Sequence, residues 1–208
     1  MAYRTTDRTR EKKDAKRTAM MQAAVKVFSA KGYHAATVRD IVSLADVAIG
    51  TFYFYFPDKE TLFVFLFEET ADFLLQTIQQ AVNQHTTLPK QIAAGAQSYV
   101  NVAVYEPAII QLMLVGGVGA VPALAARRAQ FRERLTRVWQ KPLDAALDAG
   151  LIAEQNTRRS AEFLAGGLDE IILNLLAQPN PNAFTGAAVS EITALALGAV
   201  QYRSGVSP

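Results

Sequence analysis

The stretch AIGTFYFYFPDKE, residues 48–60, decides the fold. Five aromatics stand in a row from Phe52 to Phe56. Read with a period of two, the stretch is a half-buried strand with Phe on one face and Tyr on the other. Read at helical spacing, Phe52 and Phe56 share one face and Tyr53, Phe54 and Tyr55 spread round the rest. A strand here would stand alone between helical segments, with no partner strand elsewhere in the sequence. The helical period is therefore the better reading, with Phe52 and Phe56 turned inward and the other aromatics on an open face.

The flanking residues extend it. In AKRTAMMQAAVKVFSA, residues 15–30, apolar side chains recur at three and four. Gly32 follows as a stop, and Tyr33 is the apolar residue such a cap packs against the helix. Thr37 with Asp40 three later forms a capping-box start for a second helix, Val38 to about Leu44, which is expected to bury Ile41, Leu44 and Val42. A short break leads into the aromatic stretch. Pro57 ends that stretch, and Asp58 caps a long helix from Lys59 to about Asn83 that opens with the apolar run LFVFLF. Three short helical segments with a tight break between the second and third have the layout of a helix-turn-helix.

Helical patterning continues to the far end, over residues 90–105, 108–115, 123–149, 157–178 and 187–202, with Thr157 as the expected cap of the fourth of these. Breaks fall at HTTLPK, at GGVGAVP and at the PNPN loop, and the tail RSGVSP is expected to fray. The fold expected is all-α: an N-terminal three-helix helix-turn-helix domain and a larger C-terminal helical domain. The expected division is an arm at 1–14, a helix-turn-helix domain at 15–62 with its motif at about 37–56, and a second domain at 63–208.

Composition narrows the function. Half of the 208 residues are hydrophobic, enough for a sizeable core. No charge-free run of about 18 apolar residues suggests a membrane span, and the N-terminus lacks the apolar stretch of a secretory signal; a cytoplasmic location is expected. There is no Cys, which removes disulfide and thiol chemistry. His34 and His85, the only histidines, are not at metal-ligand spacing, so no metal site is expected. No nucleophile–base pair or phosphate loop stands out, so neither an enzyme nor a cofactor is expected. The net charge of +2 is uneven, with 11 Lys/Arg against 7 Asp/Glu in residues 1–60. Arg4, Arg8, Arg10, Lys12, Lys13, Lys16 and Arg17 form either a solvated tail or an arm for a polyanion.

These residues resemble the TetR family of bacterial transcriptional regulators. The family pattern is a first helix ending Phe-x-x-x-Gly-Tyr, then Thr-x-x-x-Ile, a turn, a Gly-Thr-x-Tyr-x-x-Phe recognition helix and a Lys-Glu-x-Leu opening. Here it reads AAVKVFSAKGYHAATVRDIV, then GTFYFYF, then DKETLF. The likeness covers roughly residues 15–67. Across the turn the family has Ala-Gly-Val-Ser, whereas this chain has Ala45, Asp46, Val47 and Ala48. Asp46 stands where the glycine takes a positive φ, a region Asp tolerates better than most residues. Ala48 lacks the hydroxyl that would cap the recognition helix, a loss of about 1 kcal/mol.

The resemblance implies a double-stranded DNA operator as partner. Thr37 caps its helix and could also meet a phosphate. Arg39 is either a solvated charge or reaches a phosphate or a guanine edge. Gly50 would let backbone approach DNA, and Thr51 could touch a base edge or a thymine methyl. Tyr53 and Tyr55 carry hydroxyls suited to phosphate oxygens, Phe54 offers apolar contact, and the resemblance places Ile49 against DNA. Lys59, a cation in the first turn of a helix, opposes the macrodipole, a conflict a phosphate would relieve.

The resemblance also implies a ligand-binding C-terminal domain and a homodimer built on its last two long helices. Candidate cavity residues are Phe73, Tyr99, Tyr105, Met113, Phe131 and Trp139, for an apolar or aromatic small-molecule effector. Candidate interface residues are Ala161, Ala165, Gly166, Gly167, Ala194 and Gly198, each alternatively part of ordinary packing within one chain. The function this implies is a ligand-released repressor. The alternatives are an activator or partner-recruiting regulator of the same fold, and, more remotely, an apolar-ligand carrier.

Overall fold

A computed structural model describes residues 3–203, with side chains from residue 14 onward. The basic side chains from Arg4 to Lys13 and the tail beyond Arg203 lie outside the described residues. Among those described there are nine α-helices and no strand. They are α1 Tyr3–Ala35, α2 Val38–Leu44, α3 Ile49–Tyr55, α4 Lys59–Asn83, α5 Leu88–Tyr105, α6 Pro107–Val115, α7 Ala123–Asp148, α8 Thr157–Leu176 and α9 Thr185–Ala199. A short 3-10 turn, Pro181–Phe184, precedes α9. The fold is all-α, and the aromatic stretch is the helix α3.

The chain parts into two compact units. Among the described residues, the first comprises 3–70 and 111–125, the second 71–110 and 126–203. The first unit therefore takes in residues 63–70 of α4 and the segment 111–125, both of which the sequence reading left with the second domain.

In the first unit, helical backbone begins at Tyr3 and breaks at Gly32, whose φ of 73° is reached most easily without a Cβ. The break lets Tyr33 stack on Phe28 at 5.9 Å between ring centroids, the contact expected after such a stop. Phe63 from α4 meets Phe28 edge-on at 4.9 Å and Tyr33 at 5.2 Å. Met20, Ala24, Ile41, Phe52 and Leu62 complete a core sealed from water. Arg17 lies 4.3 Å over the Phe65 ring, which itself packs on Phe56.

In the second unit the core is built from Leu74 and Ile78 of α4, Ala96 and Tyr99 of α5, Leu135, Trp139 and Leu143 of α7, Ile172 of α8 and Ile192 of α9. α5 and α7 meet at Gly95. A Cβ there would lie 2.6 Å from the Trp139 ring, so only glycine admits the indole. α7 stops at Gly150, with φ of 68°. The cap of α8 is Asn156 rather than Thr157, since the Asn156 side chain accepts from the Arg159 N–H at 3.1 Å. Thr157 instead begins the helix and donates its hydroxyl to Asp144.

A candidate nucleic-acid interface

The start of α2 is tied down from three sides. Thr37 N–H donates to Asp40 Oδ2 at 3.0 Å, Asp40 N–H donates to Thr37 Oγ1 at 3.1 Å, and the Thr37 hydroxyl donates to Asp40 Oδ2 at 2.8 Å. This is the reciprocal capping box. In this arrangement the Thr37 hydroxyl serves the cap by donating to Asp40. Lys31 Nζ donates to Asp40 Oδ1 at 2.7 Å. That bond first, and the Thr37 bonds after it, hold the Asp40 carboxyl at about 2.

α2 buries Ile41 and Val42. Leu44, expected inside, is exposed. It is the last residue of the helix, and the turn begins before its face is covered. The chain reverses at Asp46, whose φ is 52°. The Val47 N–H reaches back to the Val42 carbonyl at 3.1 Å, so Asp46 adopts the left-handed conformation expected of it and the helix end is closed by backbone alone. α3 then starts at Ala48 without a side-chain cap.

α3 is seven residues long and is anchored by Phe52 and Phe56, whose rings stand 5.8 Å apart with both side chains buried. The remainder of the helix points outward. Ile49 is 45%, Tyr53 54% and Phe54 68% exposed. Thr51 and Tyr55 are half-buried beside them. Gly50 has no neighbour within 4 Å of where a Cβ would stand, so the fold does not require glycine there. Arg39 is exposed on α2.

Lys59 has another role than the one expected. Its ammonium donates to the carbonyls of Tyr33 at 2.8 Å, Ala36 at 2.9 Å and His34 at 3.3 Å, and lies 4.5 Å over the Tyr33 ring. Three donors meet three carbonyls. The conflict with the α4 dipole is relieved by the end of α1, not by a phosphate. A contact between residues 23 to 26 positions apart leaves no trace in local periodicity.

The expected cavity residues do not form one set. Tyr99, Phe131 and Trp139 are buried in the second unit, Met113 is buried in the first, and Phe73 and Tyr105 are exposed. Tyr99 donates its hydroxyl to Asp169 at 2.8 Å, and Arg132 lies 3.4 Å from the other carboxylate oxygen. Burial pushes the Asp169 carboxyl up and, with the carboxylate beside it, pushes the Tyr99 hydroxyl up too.

The expected interface residues also divide. Ala161 and Ala165 are buried within the chain, so they pack it internally. Gly166 is half-buried, and Ala194 and Gly198 are exposed. Gly166, Gly167 and Gly198 have nothing of this chain within 4 Å of a Cβ position. Sequence reasoning missed Phe163 and Leu195, which are 68% and 65% exposed and flank an open apolar groove of about 540 Å³ between α8 and α9. The available signal was an apolar residue standing beside the buried stripe of each helix.

The class that these elements define is an all-helical protein with a capped helix-turn-helix in its first unit. Residues 20–65 match the model of the bacterial regulatory proteins, tetR family. The fatty acid metabolism regulator protein of Bacillus subtilis is 32% identical over 74 residues, 36% of this chain and 38% of that protein. The HTH-type transcriptional regulator RutR of Escherichia coli is 31% identical over 78 residues, 38% of this chain and 37% of that protein. The chain thus spans less than two fifths of the length of these curated relatives. The crystal structure of the transcriptional regulator FadR from Bacillus subtilis in complex with stearoyl-CoA shares the fold, with a TM-score of 0.74 over 85% of this chain and 97% of that one, at 19% identity. No single helix among the described residues is long and apolar enough to cross a membrane.

Proposed function

We propose that this chain is a sequence-specific DNA-binding transcriptional regulator. In this reading it acts in the cytoplasm as a homodimer, catalyses no reaction, and is a repressor released from its operator by a small apolar ligand. The observation that carries the reading is α3: a short helix pinned by Phe52 and Phe56 that turns Ile49, Tyr53 and Phe54 to solvent. Large apolar side chains held outward by a rigid scaffold mark a binding surface, and on the second helix of a helix-turn-helix that surface is the one that enters the major groove. The family match over residues 20–65 supports the same surface.

In this reading Thr51, Ile49 and Phe54 meet bases, Tyr53 and Tyr55 meet phosphates, and Gly50 keeps the approach open. The basic residues of segment 1–14 add sequence-independent affinity. The exposed face of Phe163, Ala194, Leu195 and Gly198 joins two copies, which sets two recognition helices about 34 Å apart. The apolar interior of the second unit, with Tyr99, Phe131 and Trp139, supports an apolar effector. The names of the relatives, a fatty acid metabolism regulator and a FadR bound to stearoyl-CoA, make a fatty-acyl chain the first class to try. Ligand would favour a state with wrongly spaced recognition helices, and operator affinity would fall by linkage. α4 runs unbroken from Lys59 to Asn83 and is the covalent route for that coupling.

Selection of bound sequences from a random duplex pool tests the reading, followed by titration of the selected duplex with stearoyl-CoA. A palindromic product released by the acyl ligand is the expected result. A pool without enrichment contradicts it.

A further inference from the structure

Bidentate recognition of a purine edge needs Arg or Lys for guanine and Asn or Gln for adenine. From Thr37 to Phe56 the chain has one such residue, Arg39. The two nearest cations outside that span are already engaged: Lys31 holds Asp40 at 2.7 Å, and Lys59 holds three carbonyls of the α1 end. Arg39 is exposed and makes no hydrogen bond or ion pair among the described residues. The neighbouring Asp40 carboxylate is occupied by Lys31 and Thr37, so it does not draw the guanidinium inward. Ile41 and Val42 bury one face of α2, and Arg39 lies on the open side with Ser43 four residues on. α3 adds only apolar and hydroxyl groups: Ile49, Thr51, Tyr53, Phe54 and Tyr55. Apolar groups in a major groove find the thymine methyl as their one apolar base contact.

We infer that Arg39 is the specificity-determining residue of this interface, paired bidentately with O6 and N7 of a single guanine in each half-site, and that α3 reads thymine methyls around it. The inference rests on the DNA-binding reading above and adds the base composition of the site: one guanine per half, set among A·T pairs. A phosphate contact by Arg39 would leave α2 and α3 with no bidentate reader of any purine.

The test uses the whole protein and its Arg39→Ala and Arg39→Gln variants in parallel selections from one random duplex pool. The wild type is expected to select one guanine per half-site among thymines. Arg39→Ala is expected to lose the preference at that position alone, and Arg39→Gln to move it toward adenine, a change no folding defect can produce. On the selected duplex, 7-deazaguanine at that position removes N7. It is expected to weaken the wild type about tenfold or more and to leave Arg39→Ala within about twofold. Uracil in place of the selected thymines is expected to weaken both proteins alike. If Arg39→Ala keeps the guanine preference and only its salt slope falls by about one, the residue binds a phosphate and the inference is overturned. If the wild type itself enriches nothing, the DNA-binding reading fails and this inference fails with it.

Discussion

Lys59 and Tyr33 stand 26 residues apart in sequence, yet the Lys59 ammonium donates to the Tyr33 carbonyl at 2.8 Å and lies over its ring at 4.5 Å. With the carbonyls of His34 and Ala36, this closes the end of α1 against the start of α4. The α1 carbonyls carry the negative end of one helix dipole and Lys59 answers it, which outweighs its poor position in the first turn of its own helix.

Lys59→Met should therefore act on stability. Loss of a charged donor to three carbonyls, two of them part-buried, is expected to cost about 2 kcal/mol, read by urea denaturation. An unchanged midpoint with weakened DNA binding would assign Lys59 to a phosphate instead.

Asp40 gives a pH signature. Its folded value of about 2 lies below the ordinary 3.8, so its contribution is present above about pH 4 and is lost as pH falls toward 2. The stability gap between the wild type and Asp40→Asn should be flat above that window and close within it. A gap independent of pH would mean that the Lys31 and Thr37 bonds do not distinguish the two protonation states.

Gly95→Ala should destabilise the second unit. The new methyl would stand 2.6 Å from the Trp139 ring and 2.9 Å from Val82, an overpacking expected to cost about 1–3 kcal/mol. Thermal unfolding followed by Trp139 fluorescence checks it, since Trp139 is the only tryptophan. A stability equal to that of the wild type would show that the indole can withdraw.

Leu195→Glu places a charge on the exposed α9 face beside Phe163. If that face joins two copies, sedimentation should show a shift to monomer with the helical content retained, because a charge buried without a partner is strongly unfavourable. A dimer that persists would move the interface elsewhere.

The first unit was legible in the sequence because its signals are local. The Phe52–Phe56 spacing, the Thr37–Asp40 box, the stop at Gly32 and the positive φ at Asp46 each act within a few residues, and each appears in the structure. Leu44 failed because its exposure depends on where the turn begins. Lys59 failed because its partners lie far back in the chain. In the second unit, Ala161, Ala165, Phe163 and Leu195 could not be sorted from sequence. Periodicity gives a helix an apolar stripe but does not say which edge of it the same chain covers.

Recognition of a particular DNA sequence by the outward face of α3 requires a large affinity difference between duplexes of different sequence. The most direct measurement is the affinity of the whole protein for its selected duplex and for a shuffled duplex of equal length and composition, at one near-physiological salt concentration. At least about a thousandfold preference for the selected duplex is expected. Equal affinity for the two, falling steeply and alike with added salt, would contradict it and reduce the interface to a phosphate-binding surface.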